Sequence, residues 1–442
     1  MNALIERYNR PAPRYTSYPP APHWKSAGGA LLHYALHNSS RPLSLYFHIP
    51  FCERLCLYCG CNVVVKKDHG VAIPYIEWLQ REMSLCGEAH GRPVTQMHWG
   101  GGTPTYLEPK QIQELFNAIV SRFAVSKYAE ISIEIDPRVT SIEHLQVLRS
   151  LGFNRLSVGI QDFDPQVQQA VRRIQSFEST RQLFAEARRL QFESINVDLI
   201  YGLPFQNRYS FRHTLELIRR LEADRIAVFS YAHVPSLKKQ QKALEKHLPS
   251  DQEKFDLFLT AIDYLTTAGY DFIGLDHFAK PNDPLSQAWK DGTLHRNFQG
   301  YSTHADTDLL GFGVSSISHI GDVFLQNHRE LADYANSVIQ GNVPVARGYV
   351  LTEDDRIRAA VIEKILCHAS LSKSEIEDQF GIVFDRYFDS ELQRLKEFEH
   401  DRLLAGVQTR VITILKTGRL FIRSVAQVFD AFQPAAVAAK AV

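Results

Sequence analysis

Nowhere in this chain is there an uninterrupted apolar run of about 18 residues, the length a helix needs to cross a bilayer. The opening segment, MNALIERYNRPAPRYTSYPP, also lacks an apolar stretch of signal-peptide length. No membrane span is expected, and the expected compartment is the cytoplasm. Net charge is lacking too, since 49 Lys and Arg balance 49 Asp and Glu. No overall field draws such a chain to nucleic acid or to an anionic membrane, and any anionic ligand must be met by local charge. Cysteine is scarce and unevenly placed. Of six cysteines, Cys86 and Cys367 stand alone in apolar helical patterns, as core residues do, while Cys52, Cys56, Cys59 and Cys61 crowd one short segment. A disulfide framework would be out of place in a large cytoplasmic protein, so the crowding asks for a metal or redox explanation.

At 442 residues the chain has room for two or three domains and a large core. From residue 43 to about 232, β-rich runs alternate with amphipathic helical patterns. The predicted strands are LSLYFHI (43–49), QMHWGGG (96–102), EISIEID (130–136), RLSVGIQ (155–161), INVDLIYG (195–202) and RIAVFSYA (225–232). Such repeats make a parallel sheet, either open and doubly wound or curled into part of a barrel, and periodicity does not separate the two. Ligands gather at the C-terminal ends of the strands in both. Residues 233–350 read as less regular. The last ninety or so read as a small separate unit of three helices, a hairpin (403–415) and a helix opening at Thr417, resembling a winged helix.

The segment from Cys52 to Cys59 has the spacing C-x3-C-x2-C directly after the first strand. Three thiolates on one tight loop hold three irons of a [4Fe–4S] cube and leave the fourth open for a ligand. A single zinc ion would recruit Cys61 as a fourth ligand, but a C-x-C beside a C-x2-C is cramped for one tetrahedron; a redox disulfide is the other bland reading. One strand further on, Gly100, Gly101 and Gly102 precede Thr103 and let a ligand approach the backbone closely. Glu134 and Asp198 are carboxylates set inside apolar runs, where an unpaired charge is costly and a ligand would supply partners.

With these motifs in place, the chain resembles the radical S-adenosylmethionine enzymes, and within them the oxygen-independent coproporphyrinogen III oxidases of haem synthesis. The resemblance runs nearly end to end, through PRYTSYP, RPLSLYFHIPFC, CGCN, HWGGGTPTY, EISIEIDPR, GFNRLSVGIQDF, NVDLIYGLP, FIGLDHFA, HRNFQGYST and DTDLLGFGVSSIS. It implies an α/β fold: a curved partial (β/α)6 TIM-like barrel over residues 41–350, an N-terminal arm over 1–40, and a helical, winged-helix-like unit over 351–442.

The resemblance further implies a [4Fe–4S] cluster on Cys52, Cys56 and Cys59 and two S-adenosylmethionine molecules. Positions matching the cluster-bound one are Tyr46, Gly101, Glu134 and Ile317. Those matching the second are Tyr58, Gly102, Thr103, Gln161, Arg173, Asp198 and Ala232. The family usually carries Phe where this chain has Tyr58; both present an aromatic face. Cys61 and His48 are expected to act in catalysis, Cys61 as a thiol beside substrate or second cofactor. The implied reaction converts two propionates of coproporphyrinogen III to vinyl groups, with an unidentified electron donor and acceptor, in a protein expected to be monomeric. Arg14 and Arg296 are expected to meet substrate carboxylates. Two rivals remain: a radical haem-handling protein (a haem chaperone or a haem-degrading methyltransferase), opposed by Cys61 and the PRYTSYP arm, and a nucleic-acid binder using Arg410, Lys416, Arg419 and Arg423, opposed by the zero net charge.

Overall fold

The computed structural model describes residues 2–432; Met1 and 433–442, the outermost parts of the expected arm and C-terminal unit, lie outside the described residues. Six strands pair in parallel in chain order: β1 (Leu43–Ile49), β2 (Pro93–Gly101), β3 (Ala124–Ile135), β4 (Arg155–Gln161), β5 (Ser194–Tyr201) and β6 (Arg225–Ser230). They form because β-branched and aromatic side chains recur at every second position, matching the pleat. Ile131, Ile133 and Ile135 of β3, Leu156, Val158 and Ile160 of β4, and Ile195, Val197 and Leu199 of β5 are buried in one continuous core with helical residues such as Leu115, Leu145, Leu183 and Leu215. The intervening residues (Glu130, Ser132 and Glu134; Ser157, Gly159 and Gln161; Asn196, Asp198 and Ile200) are only partly buried and turn to the interior of the curved sheet. Strand alternation therefore sorts an apolar outer face from a polar inner one. Replacing the fully buried Ile133 by Ala would cost about 2–5 kcal/mol.

The helices between strands start at signals written in the sequence. Ser141, Ser176 and Asn207 each accept a backbone N–H at the N-terminus of a helix (Ile142–Ser150, Phe177–Arg189 and Arg208–Leu221). On the inner face a polar ladder ties the strands across the barrel floor. Ser44 donates to Gln96, Gln96 donates to Glu130, and Arg155 pairs with Glu130 at 2.7 Å.

Residues 233–350 are more ordered than their sequence suggests. Asp308–Phe312 pairs in parallel with β1 on its outer side, and Ile317–Ile320, Val323–Asn327, Val345–Val350 and the short Lys25–Ser26 continue antiparallel from it. At the other edge His277–Ala279 and Asp271–Gly274 extend from β6. The two edges are not paired with each other, so the sheet is a partial barrel. These strands are short and separated by loops, and only the edges of an existing sheet give them partners.

The C-terminal region packs the helices Glu353–His368, Lys373–Phe380 and Asp389–His400 against a three-stranded sheet of Ser370–Ser372, Leu404–Ala405 and Val411–Ile414. The hairpin is as expected; the strand at 370–372 is additional. The single helix expected from Thr417 is corrected. Residues 418–429 form a 3-10 turn, one short α-helix (Ile422–Ala426) and a second 3-10 turn. Arg423, Ser424 and Ala426 are buried along with Phe421, Ile422, Val425, Val428 and Phe429, so the segment is packed on every side and not along one helical face. The basic surface cluster is corrected too. Arg419 donates to the Phe272 and Ile273 carbonyls, Arg423 is buried and donates to Ala12 and Pro13 of the arm, and Arg410 pairs with Glu377. Arg419 and Arg423 thus turn inward, and of the four expected basic residues only Arg410, paired with Glu377, and Lys416 stay on the surface. Among the described residues no helix is long and apolar enough to cross a membrane.

Candidate active site

A cavity of about 380 Å³ opens at the C-terminal end of the barrel strands, a volume suited to a small-molecule ligand. Its wall carries Cys52, Cys56, Cys59 and Cys61 from the loop after β1, and Gly101, Gly102 and Thr103 from the end of β2. Glu134, Gln161 and Asp198, from the ends of β3, β4 and β5, complete it with Tyr58, Arg173 and Ala232. Residues scattered over 180 positions converge because every parallel strand ends on the same rim.

The cysteine loop is held from both sides. Val171 accepts the Leu57 N–H at 3.0 Å, while Gln241, Gln240 and Lys238 donate to the carbonyls of Tyr58, Cys59 and Cys61. Leu57 itself packs into a small apolar cluster with Val167, Val171, Leu203, Tyr231 and Leu244. The loop is thus fixed by its own backbone bonds. Among the described residues, no three His, Cys, Asp or Glu side chains surround a point as one metal ion requires; the thiols stand around a cavity. Three thiols of one loop on a cavity wall are a donor set that fits a polynuclear cluster, in which each thiolate meets a different iron.

Electrostatics around the thiols differ. Cys59 is pulled down to about 6, first by a hydrogen bond from the Cys61 thiol, then by the Cys61 N–H, Lys238 and Arg173. Burial pushes Cys52 up to about 12, opposed by Thr103, whose hydroxyl lies 3.3 Å from the sulfur. Arg138 and Arg173 aim N–H groups at the Cys56 sulfur at 3.5 and 3.7 Å. Positive groups therefore face the loop where thiolate charge is needed. Both arginines also bind Asp136, Arg173 at 2.9 Å and Arg138 at 2.6 Å, which holds that carboxyl down at about 2, Arg173 being the stronger cause after burial is overcome.

The glycine run has a steric reason. Gly101 sits at φ 114°, and a Cβ there would stand 2.6 Å from the His48 ring. At Gly102 a Cβ would meet the Pro50 carbonyl at 2.6 Å. Glu134 accepts the Gly101 N–H at 3.1 Å and faces His98 at 3.4 Å, contacts that lower its pKa despite burial. Asp198 accepts from Ser157 at 3.0 Å and Asn196 at 2.8 Å, yet burial and then the charge of Glu134 raise it to about 6. Gln161 has its Oε1, and Arg173 its Nε, buried without a partner. Orphaned polar atoms on a cavity wall fit a polar ligand that completes them.

Three expected residues do not reach this wall. Tyr46 and His48 lie behind it: the Tyr46 hydroxyl is 3.1 Å from His48 Nδ1, and His48 Nε2 is 3.1 Å from the Asn62 carbonyl. Ile317 is buried with Trp24 and Phe324 in a separate apolar cluster. Conversely, Arg138, Ser157 and Phe229 line the cavity without having been singled out. Ser157 was legible as a polar residue on the inner face of β4; Arg138 closes the EISIEIDPR motif, but its place on a turn did not show that it faces the cavity.

Residues 46–218 match the Radical SAM superfamily model, so the barrel has the [4Fe–4S] cluster and S-adenosylmethionine chemistry of that class. The likeness to particular relatives extends much further along the chain. It is 45% identical to the oxygen-independent coproporphyrinogen III oxidase of Salmonella typhimurium, covering 97% of this chain and 95% of that one. It is 44% identical to the protein of the same description from Pseudomonas aeruginosa, covering 98% and 95%. The solved coproporphyrinogen III oxidase (HemN) of Escherichia coli, described as a radical SAM enzyme, superposes with a TM-score of 0.94 at 44% identity over 98% of this chain and 99% of that one. The chain belongs to the family of oxygen-independent coproporphyrinogen III oxidases.

Proposed function

We propose that this protein decarboxylates two propionate side chains of coproporphyrinogen III oxidatively to vinyl groups, giving protoporphyrinogen IX. The observation that carries this reading is the reach of the family likeness over the arm and C-terminal region as well as the barrel, since the barrel motifs alone are shared by a whole superfamily. For each propionate, a hydrogen atom leaves the β-carbon, carbon dioxide leaves the chain end, and one electron passes to an acceptor.

Cys52, Cys56 and Cys59 would hold the cluster through their thiolates. Gly101 and Glu134 would serve one S-adenosylmethionine from the cavity wall, with Tyr46 and Ile317 supporting from behind it, and Tyr58, Gly102, Thr103, Gln161, Arg173, Asp198 and Ala232 would serve a second, one for each propionate. When bound, these groups supply the primary carbon radical that takes the hydrogen atom. The strand-end glycines admit the methionine part to the backbone, while Glu134 and Asp198 accept from ammonium or hydroxyl groups. Tyr46 and His48 act from behind the wall by fixing one another and the Gly101 turn. Cys61, exposed on the cavity rim, offers a thiol that can give or take a proton beside the bound substrate. We further read residues 1–40, 41–350 and 351–442 as arm, catalytic barrel and C-terminal domain, and the active form as a cytoplasmic monomer.

The test is an anaerobic incubation of the reconstituted protein with coproporphyrinogen III, S-adenosylmethionine and a low-potential reductant. The expected product has lost two carbon dioxides and four hydrogens. Unchanged substrate in the presence of an intact cluster refutes the reading.

A further inference from the structure

A second cavity, of about 90 Å³, lies between the arm and the short antiparallel hairpin of His295–Asn297 and Gly300–Ser302. Tyr15 to Tyr18 of the arm close one side, and Arg296 and His319 form another. It is large enough for a carboxylate group and too small for a cofactor.

Two of its wall atoms are buried without partners: Arg296 Nη1 and His319 Nε2. Arg296 is 8% exposed, and among the described residues it has no carboxylate within ion-pair distance. Its Nε donates to the Arg14 carbonyl at 3.3 Å, and its guanidinium lies 4.8 Å from the centre of the Tyr301 ring. The nearby acids are already engaged. Asp276 is taken by Arg14 and, at 2.7 Å, by His277; Glu363 is held by His295 and by the Arg296 N–H. Arg14 adds positive field beside Arg296, and burial together with Arg14 lowers the pKa of Arg296. A buried guanidinium left without an anion is costly, and an incoming carboxylate removes that cost. By contrast, Arg138 and Arg173 of the main cavity share Asp136 and are already neutralised in part.

Arg14 lies between the two cavities and touches a wall residue of each. Its carbonyl takes Arg296, and its guanidinium lies 5.3 Å from the centre of Phe229, a wall residue of the main cavity. A ligand wide enough to reach both is a macrocycle bearing carboxylate arms. We propose that Arg296, with His319, anchors one of the substrate propionates that is not decarboxylated, under a cover formed by the arm. This rests on the function proposed above. It makes the arm part of the specificity device, since Tyr15 and Tyr18 are themselves tied to Asp430 and Ala431 of the C-terminal region.

The test compares Arg296→Gln with the parent protein in anaerobic binding of three oxidised porphyrins: coproporphyrin III, protoporphyrin IX and coproporphyrin tetramethyl ester. The first two retain the unreacted propionates; the ester has no charge. We expect Arg296→Gln to weaken the first two by a similar factor, about tenfold to a hundredfold as for one charge-assisted hydrogen bond, and to leave the ester unchanged. Arg296→Lys should recover part of the loss. Iron content, S-adenosylmethionine binding and the unfolding midpoint report whether the variant is folded; a misfolded glutamine variant transfers the comparison to His319→Gln, which should show the same pattern more weakly. A loss confined to coproporphyrin III would place a reacting propionate here and overturn the proposal. Equal affinity of variant and parent, or no binding of either porphyrin by the parent, would also overturn it. Conversion of coproporphyrinogen by the parent protein is read separately, so a failed anchor and a failed function give different results.

Discussion

Replacing Asp198 by Asn should make the protein more stable and bind less cofactor. The carboxylate sits on the inner face of β5, hydrogen-bonded by Ser157 and Asn196, and burial plus the neighbouring Glu134 raise its pKa from 3.8 to about 6. A folded-state pKa above the unfolded one means the native state holds its proton more tightly. Stability therefore falls as pH rises from about 4 to about 6, and the penalty is complete above that. At roughly 1.4 kcal/mol per unit, the penalty is about 3 kcal/mol. Asn keeps the size and one acceptor and carries no charge, so the cofactor-free variant should gain about 2–3 kcal/mol at pH 7.5 and nothing at pH 4. The same change removes a charged acceptor from the cavity, which should weaken the second S-adenosylmethionine by roughly tenfold to a hundredfold. Urea unfolding of the cofactor-free protein at the two pH values measures the first effect, and anaerobic equilibrium dialysis on cluster-loaded protein the second. Equal stabilities at pH 7.5, or an unchanged binding stoichiometry near the parent Kd, would refute the reasoning. A carboxylate kept at such a cost to folding is a mark of a functional site.

Other perturbations test the remaining parts. Cys52→Ala, Cys56→Ala or Cys59→Ala should each abolish the cluster's iron content and absorption after anaerobic reconstitution; a zinc-loaded, fully active variant would contradict the assignment. Cys61→Ser should keep the iron and its spectrum yet lose vinyl formation, because a serine hydroxyl, with its far higher pKa, does not replace a thiol in proton transfer; normal turnover would make Cys61 a packing residue, and loss of iron would make it a ligand. Glu82 is buried far from the cavity and accepts from Tyr334, Asn327 and the Gly313 N–H, with burial raising it to about 7. Glu82→Ala should cost about 3 kcal/mol or more in urea unfolding at pH 6 by stranding those donors, with S-adenosylmethionine binding intact in the folded fraction; a midpoint shift near zero would be inconsistent with that network.

The sequence by itself determined the local events. Alternation of apolar side chains placed five of the six barrel strands within three residues at each end, β3 starting six residues earlier than expected, and Ser141, Ser176 and Asn207 opened helices where N-caps must. The cysteine spacing and the adjacent glycines were legible because their chemistry acts over a few residues of one loop. Only the tertiary structure decided what depends on distant partners. Asp308–Phe312 is a strand because β1 offers it an edge, and residues 418–429 break their helical period because neighbours bury them from every side. The same holds for charge. Arg419 and Arg423 read as a surface cluster in one dimension, but carbonyls from the barrel and the arm draw them inward. Arg296, a lone arginine in a loop, becomes a buried cation without a counter-ion only once the arm, the barrel edge and the C-terminal region are packed around it. A side chain's partners are set by the folded surroundings, and no window of sequence contains them.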